Sequence, residues 1–213
     1  MKSQFERNAG IALLLFVILM VFTMVLHPVG GGFDYLLKIT KLIVISHSIA
    51  LASIPFAGIG FWGLTKRIGN DNFFSISAFA IVCFALLAAT IAATANGLVL
   101  PLFIQRYKDA SGDVIESLKP ILKYNFSVNN AFDYLYMGGF CLSMLFWSVA
   151  ILYTKKFRLW IAYIGIGISL LAAILTVTGI SFAGLNGFRL FVTGIAAWIL
   201  IVAFVLTGKT KPE

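Results

Sequence analysis

FFSISAFAIVCFALLAATIAATANGLVLPLFI, residues 73–104, is the stretch that decides the fold, because it contains no charged side chain. As a straight α-helix rising about 1.5 Å per residue it would be about 48 Å long, which exceeds the roughly 30 Å hydrocarbon core of a bilayer. The run therefore predicts a membrane-spanning helix that tilts, bends or projects outward. Pro101 frees the carbonyl of Gly97, so we expect the bend close to Asn96 and Gly97.

The composition of the whole chain indicates the same environment. Of its 213 residues 61% are hydrophobic and only 11% are charged, against about 25% charged residues in a soluble domain. The net charge of +8 comes from basic residues scattered at the ends of apolar runs, which indicates membrane topology and no nucleic-acid partner. Cys83 and Cys141 lie in apolar runs without metal-ligand spacing, so we expect small core side chains, with no disulfide and no metal site.

Six segments are apolar and long enough to span a bilayer, at about 20 residues each. They are residues 9–26, 42–64, 73–104, 131–153, 159–181 and 190–207. The predicted fold class is an all-α polytopic membrane protein, with one six-helix bundle over residues 1–213. No small-residue cleavage site follows the first segment, so we interpret it as a retained signal anchor.

The distribution of lysine and arginine predicts the orientation. With the N-terminus inside, nine basic residues of short segments lie on the inner side: Lys2, Arg7, Lys66, Arg67, Lys155, Lys156, Arg158, Lys209 and Lys211. Three lie in short outer loops: Lys38, Lys41 and Arg189. This bias predicts that both termini are cytoplasmic.

The long outer loop, residues 105–130, contains a helical pattern. Asp113 and Glu116 have capping-box spacing, and apolar residues then recur at helical intervals as far as Leu122. We expect a short amphipathic helix, broken or bent at Pro120, that rests on lipid or covers the outer mouth of the bundle.

Small residues predict where helices approach closely in lipid. The third segment has Ala85, Ala89, Ala93 and Gly97 on one face, and the fifth has a similar stripe that includes Gly165 and Ser169. We expect these two segments to be central, with Ala89 and Ala93 at a close helix contact.

The hairpin between the fourth and fifth segments carries a recognisable pattern. Its residues are Ile151, Leu152, Tyr153, Lys155, Lys156, Arg158, Trp160, Gly165 and Gly167. The pattern resembles a hairpin in a broad group of uncharacterised bacterial six-helix membrane proteins, although the proline expected just before Trp160 is absent. The resemblance implies a six-helix bundle in a bacterial inner membrane, and it supplies no activity and no site residues.

Polar side chains gather at the outer ends of the predicted helices. We expect His47, Asn96, Asp133 and Arg189 to converge on one outward-facing polar pocket, with His27 at its rim. Asp133 and Arg189 are the expected charge pair, because either charge alone would be costly at that depth.

Each of these residues also has a structural interpretation. His27 can be an interfacial residue at a helix C-terminus, and His47 can bond to a neighbouring helix. Asp133 fits the acidic first turn of a helix capped at Asn130, Asn96 can satisfy backbone at the bend, and Arg189 can reach the headgroups.

Aromatic residues fit two membrane-interface belts. The outer belt would contain Tyr35, Tyr107, Tyr124, Tyr134 and Tyr136, and the inner belt Trp62, Tyr153 and Trp160. Trp198 falls within the sixth segment and is expected to pack in the bundle.

Three functions remain compatible with the sequence, which lacks Gly-rich phosphate loops and His-Glu-x-x-His, Gly-x-Ser-x-Gly and Cys-x-x-Cys motifs. The first is a non-catalytic membrane protein whose outer pocket binds a lipid, a small hydrophobic molecule, a partner membrane protein or a second copy. The second is an intramembrane enzyme that uses His47 and Asp133 on an amphiphilic substrate. The third is a haem b or metal protein ligated by His27 and His47. The first is preferred, with no cofactor.

Overall fold

The computed structural model describes residues 3–178 and 185–208, which are helical and contain no β-strand. The helices are α1 (Gln4–Leu26), α2 (Phe33–Lys38), α3 (Thr40–Ile68), α4 (Phe73–Thr94), α5 (Leu100–Arg106), α6 (Gly112–Thr154), α7 (Leu159–Val177) and α8 (Leu185–Thr207). A π-helical turn, Ala95–Val99, joins α4 to α5. Six units are long and apolar enough to cross a membrane: α1, α3, the α4–α5 unit, α6, α7 and α8. The all-α class and the six apolar spans are confirmed.

The turn between α3 and α4 shows how local sequence sets helix ends. Gly69 ends α3 with φ of 147°, a backbone conformation that side-chain-bearing residues rarely adopt. Asn72 then caps α4, since its Oδ1 accepts a hydrogen bond from the Ser75 backbone N–H at 3.0 Å. A four-residue connection therefore reverses the chain and places α4 beside α3.

Contacts between helix ends define what we call the basal end of the bundle. Glu6 of α1 lies 3.7 Å from Arg67 of α3. A Cβ on Gly69 would lie 3.7 Å from Lys156 Nζ, and one on Gly10 would lie 2.8 Å from Thr207 Cγ2 of α8. The start of α1 and the ends of α3, α6 and α8 are therefore neighbours. The opposite end, where α1 and α4 finish, is the cavity end.

The basal half of the bundle is tightly packed around aromatic rings. Phe61 stacks on Trp147 at a centroid distance of 5.0 Å, and Trp147 stacks on Trp198 at 6.3 Å. Gly63 allows α3 to approach α1 closely, because Ala9 of α1 occupies the space that a Cβ at position 63 would need. Trp147 Nε1 donates to Thr65 Oγ1 at 3.1 Å, so a buried polar group is paired inside the core. Trp198 packs in the bundle, as predicted.

The small-residue stripe of α4 has two different environments. Ala85 is fully buried, and a Cβ built on Gly139 of α6 would lie 2.8 Å from its Cβ. Ala89 and Ala93 instead line a cavity, so the predicted close contact occurs one turn earlier than expected.

Helix α7 is not central, contrary to expectation. It packs chiefly on α6 and α8, and most of its side chains are exposed. Its small residues do serve as contacts, because Ser169 Oγ donates to the Cys141 carbonyl of α6 at 3.0 Å. The predicted end of this segment, residues 179–181, lies outside the described residues, as do residues 182–184. The sixth span begins earlier than the predicted residue 190, because residues 185–189 already belong to α8.

The predicted long outer loop is mostly helix. α6 is continuous from Gly112 to Thr154, so the amphipathic helix and the fourth span form one unit, and Pro120 lies inside it. At about 1.5 Å per residue α6 is about 65 Å long, so it projects well beyond a bilayer about 30 Å thick. Asn130 and Asp133 therefore lie in mid-helix and do not open a helix.

The projecting part of α6 covers the cavity end. A hydrophobic cluster, which we call the outer cap, joins it to α2, α5 and the start of α3 through buried residues: Phe33, Leu36, Ile43, Leu100, Ile104, Leu118 and Leu122. Of the two predicted locations for the amphipathic helix, the structure supports the one over the bundle.

The two cysteines are free, but their predicted environment is wrong in part. Cys141 is half-buried, whereas Cys83 is exposed on the outside of the helix bundle.

Candidate functional site

A cavity of about 320 Å³ lies at the cavity end, between α1, α3, α4, α6 and α8. Its wall is largely aliphatic and aromatic, and it includes Met20, Ile54, Ala89 and Phe188. Polar side chains interrupt this wall at a few positions: Thr23, His27, His47, Ser53, Asn96, Asn129, Asn130, Asp133 and Tyr136. Four of the five residues predicted from sequence, His27, His47, Asn96 and Asp133, therefore line one cavity.

The π-helical turn positions two of the cavity residues, Asn96 and His47. Pro101 cannot donate a backbone hydrogen bond to Gly97, and the helix is interrupted at residues 95–99, where the sequence predicted the bend. Asn96 is buried there and accepts a hydrogen bond from Asn125 Nδ2 of α6 at 2.6 Å. The missing side chain of Gly97 leaves room for the His47 ring, because a Cβ on Gly97 would overlap the His47 Cβ and Cγ.

The two histidines contact each other across α1 and α3. Their ring centroids are 5.1 Å apart with an interplanar angle of 50°. His27 Nδ1 lies 3.0 Å from the Pro28 carbonyl oxygen, and His47 Nδ1 lies 2.8 Å from the Ile43 carbonyl oxygen. A carbonyl oxygen only accepts, so Nδ1 carries the proton in each neutral ring. Nε2 of each ring is then a hydrogen-bond acceptor.

His27 lies just beyond the end of α1, where its charge state depends on burial. Burial lowers the pKa of His27 below its ordinary value of 6.5. The hydrogen bond to the Pro28 carbonyl opposes this change, and the nearby Arg189 guanidinium lowers the pKa further. The neutral ring is therefore favoured at neutral pH, which keeps Nε2 available as an acceptor.

Asp133 is the acidic residue of the cavity wall. Its Oδ2 accepts a hydrogen bond from Asn129 Nδ2 at 2.8 Å, one turn earlier on α6. Its Oδ1 has no hydrogen-bond partner among the described residues. The predicted role of Asp133 at a helix start is wrong, whereas its predicted position at the pocket agrees with the structure.

Arg189 is the predicted site residue that does not line the cavity. Its Nη2 donates to the His27 carbonyl oxygen at 3.4 Å, so the side chain ties α8 to the end of α1. The predicted ion pair with Asp133 is absent from the described ion pairs, which involve other residues. Arg189 lies at the predicted level of the bundle, but its side chain points to the His27 carbonyl and not to Asp133 as predicted.

The predicted site left out several polar residues around the cavity, among them Tyr136, Asn125 and Asn129. Tyr136, assigned to the outer belt, is buried in the cavity wall. Asn125 and Asn129 support Asn96 and Asp133 from α6. The spacing of Asn125, Asn129 and Asp133 is four residues, so they share one helix face. That signal could be recognised only if residues 112–154 were interpreted as one helix.

The histidine pair is a poor match to bis-histidine haem ligation. Two axial histidines lie on opposite faces of the macrocycle, whereas the His27 and His47 rings contact each other directly. For a metal ion, the described residues contain no group of three or more His, Cys, Asp or Glu side chains that could hold one. The arrangement suits hydrogen bonding to a ligand better than metal ligation.

Comparison with family models, with curated proteins and with solved structures gives no significant match to this chain.

Proposed function

We propose that this protein is a multi-pass protein of a bacterial inner membrane whose cavity opens to the outside and binds a small hydrophobic or amphiphilic molecule. The observation that carries the proposal is the cavity itself. An aliphatic wall can hold an apolar chain, while His27, His47 and Asp133 provide hydrogen-bonding groups that fix a polar head. Polar residues are costly inside a membrane, and this bundle places several of them around one space.

The proposed orientation has both termini in the cytoplasm. It is supported by basic residues at the basal end, which include Lys66, Arg67, Lys155 and Lys156. In a cysteine-free background, cysteines at Ser111 and Asn186 should react with an impermeant reagent in intact cells, whereas cysteines at Lys66 and Lys155 should not. The opposite labelling pattern would invert the proposed topology. The bacterial inner membrane rests on the hairpin resemblance, and membrane fractionation tests it.

The binding proposal is tested by native mass spectrometry of the full chain purified in mild detergent. A co-purified small molecule should accompany the wild type and be lost from Ala89→Leu, because Ala89 lines the cavity and the added side chain fills it. The matched control is Ala80→Leu, since Ala80 is an exposed residue of the same helix. Equal loss from both variants, or no bound molecule in the wild type, would contradict the proposal.

An intramembrane enzyme is the second candidate, because His47 and Asp133 line the same cavity and could act as base and acid. This candidate predicts that the co-purified molecule changes mass on incubation with the wild type but not with His47→Gln. A molecule that stays unchanged in both samples favours binding alone.

A further inference from the structure

We propose that the cavity recognises the primary ammonium group of a small cationic amphiphile, with the ammonium among Asp133, His27 and His47 and the apolar part along the aliphatic wall. This inference rests on the proposed function, because it names the chemical class of the ligand that the same cavity would bind.

The charge of the cavity wall supports a cation. Asp133 is the one formally charged residue among the described residues that line the cavity. Residues 179–184, which the structure does not describe, contain no charged residue in the sequence. Arg189 contacts the rim of the site, but its guanidinium donates to the His27 backbone carbonyl and forms no ion pair with Asp133. A carboxylate without a cationic partner is costly inside a helix bundle, and an ammonium ligand would supply that partner.

The hydrogen-bonding groups match an ammonium in number and type. An ammonium group has three donors and no acceptor. Around the cavity, Asp133 Oδ1 is uncommitted, and the two histidine Nε2 atoms are acceptors because each Nδ1–H is used by a backbone carbonyl. The remaining uncommitted donors, such as those of the Asn130 amide, are neutral and do not favour an anion over a neutral head.

The volume and the wall limit the size of the ligand. About 320 Å³ is near the lower end of the roughly 300–1,000 Å³ found for small-molecule sites. A single alkyl or aryl amine fits that range. A phospholipid with an aminoethyl headgroup presents the same ammonium, but its phosphate would place a second negative charge near Asp133.

The test compares four probes with the same chain length on the full-length protein in non-ionic detergent. Decylamine carries an ammonium at neutral pH, because primary amines titrate near the lysine value of about 10.4. Decanol has a neutral head, decanoate an anionic head, and decyltrimethylammonium a cation without N–H donors. Native mass spectrometry over a concentration series should rank decylamine as the tightest of the four.

The matched variants are Asp133→Asn and Asp113→Asn, which remove one carboxylate each from α6. Asp113 is exposed and distant from the cavity wall. Asp133→Asn should weaken decylamine binding about tenfold to a hundredfold, the range expected when a hydrogen bond to a charged group is lost. It should weaken decanol binding much less, because the asparagine amide oxygen still accepts a hydrogen bond from a hydroxyl group, and Asp113→Asn should change neither.

The outcomes separate this inference from the proposed function. If decanol or decanoate binds at least as tightly as decylamine, the ammonium assignment is overturned while the binding function stands. If none of the probes binds the wild type, the proposed function itself fails. Should Asp133→Asn not fold, the ranking of the four probes on the wild type decides the question alone.

A final arm identifies the source of the ammonium. The protein is placed in nanodiscs of phosphatidylethanolamine or of phosphatidylglycerol, and decylamine is added to each. Competition by phosphatidylethanolamine alone supports a lipid headgroup as the source of the ammonium. Equal binding in both supports a free amine.

Discussion

The two halves of the bundle differ in how closely their helices pack and in what their polar side chains contact. At the basal end, Thr65, Ser75 and Trp147 satisfy one another between closely packed helices, and small residues such as Gly63 bring the backbones together. At the cavity end, the helices enclose a cavity, and Asp133 and the two histidines keep hydrogen-bonding atoms that no described residue uses. The basal half holds helices together, and the cavity half contains the polar groups that the proposed ligand would contact.

The largest expected effect is at the basal end. Trp147→Ala removes the ring that stacks on Phe61 and Trp198 and the donor to Thr65, so it should lower the free energy of unfolding by about 3–5 kcal/mol. Denaturation of the detergent-solubilised protein measures this change. Trp160→Ala serves as the control, since that side chain is 44% exposed. Similar losses for both tryptophans would remove the distinction between core and interface.

Gly97→Ala should disturb the cavity end with an intermediate effect. The new methyl group overlaps His47, so the histidine must move, and we expect about 1–3 kcal/mol of destabilisation from overpacking. The same substitution at Gly138 meets open space and should be close to neutral. Histidine NMR signals should shift in the first variant alone. An unchanged His47 signal would contradict the close contact.

One substitution at two positions on α4 compares the two halves directly. Ala85→Leu meets α6 at Gly139 and should cost about 1–3 kcal/mol, whereas Ala89→Leu enters the cavity and should cost less. Thermal unfolding of both variants in one detergent provides the measurement. If Ala89→Leu is the more damaging of the two, the cavity is not a space that a side chain can enter.

The smallest expected effect is a pH dependence at His27. Its pKa is lowered in the folded state, so the unfolded state binds more protons once the pH falls below about 6.5. Stability should therefore be constant above that pH and decline as the pH falls towards the lowered folded pKa. His27→Asn keeps a donor for the Pro28 carbonyl and removes the titration. Its melting temperature should depend less on pH than that of the wild type, and an identical profile would argue against a buried neutral His27. His47 and Asp133 line the same cavity and are kept unchanged in this comparison.

Hydropathy was sufficient to predict the six spans, because lipid requires long apolar helices. It was insufficient for residues 112–130, which are more polar and contain Pro120. There, helix continuity depends on packing in the outer cap, with Leu118 and Leu122 against α2 and α5. Such contacts between distant segments cannot be derived from local sequence.

For the site residues, the sequence predicted the position along each helix better than the direction in which the side chain points. His27 lies at the end of α1, His47 about two turns into α3 and Asn96 at the π-helical turn, whereas Asp133 lies in the middle of α6; all four line the same cavity. The rotation of each helix about its axis was harder to predict from the sequence, because nearly every side of an apolar helix has similar hydropathy. Arg189 and Tyr136 show the consequence, since both were assigned the correct level and the wrong surroundings.

The most direct test of a ligand-binding cavity is a map of where an apolar probe resides. A photoreactive diazirine alcohol is bound to the purified full chain, activated by light, and the modified residues are identified by peptide mass spectrometry. We expect labels on His47 and Asp133, their loss in Ala89→Leu and their retention in Ala80→Leu. Labelling confined to outward-facing residues such as Phe84 and Leu87, or unchanged in Ala89→Leu, would contradict binding in the cavity.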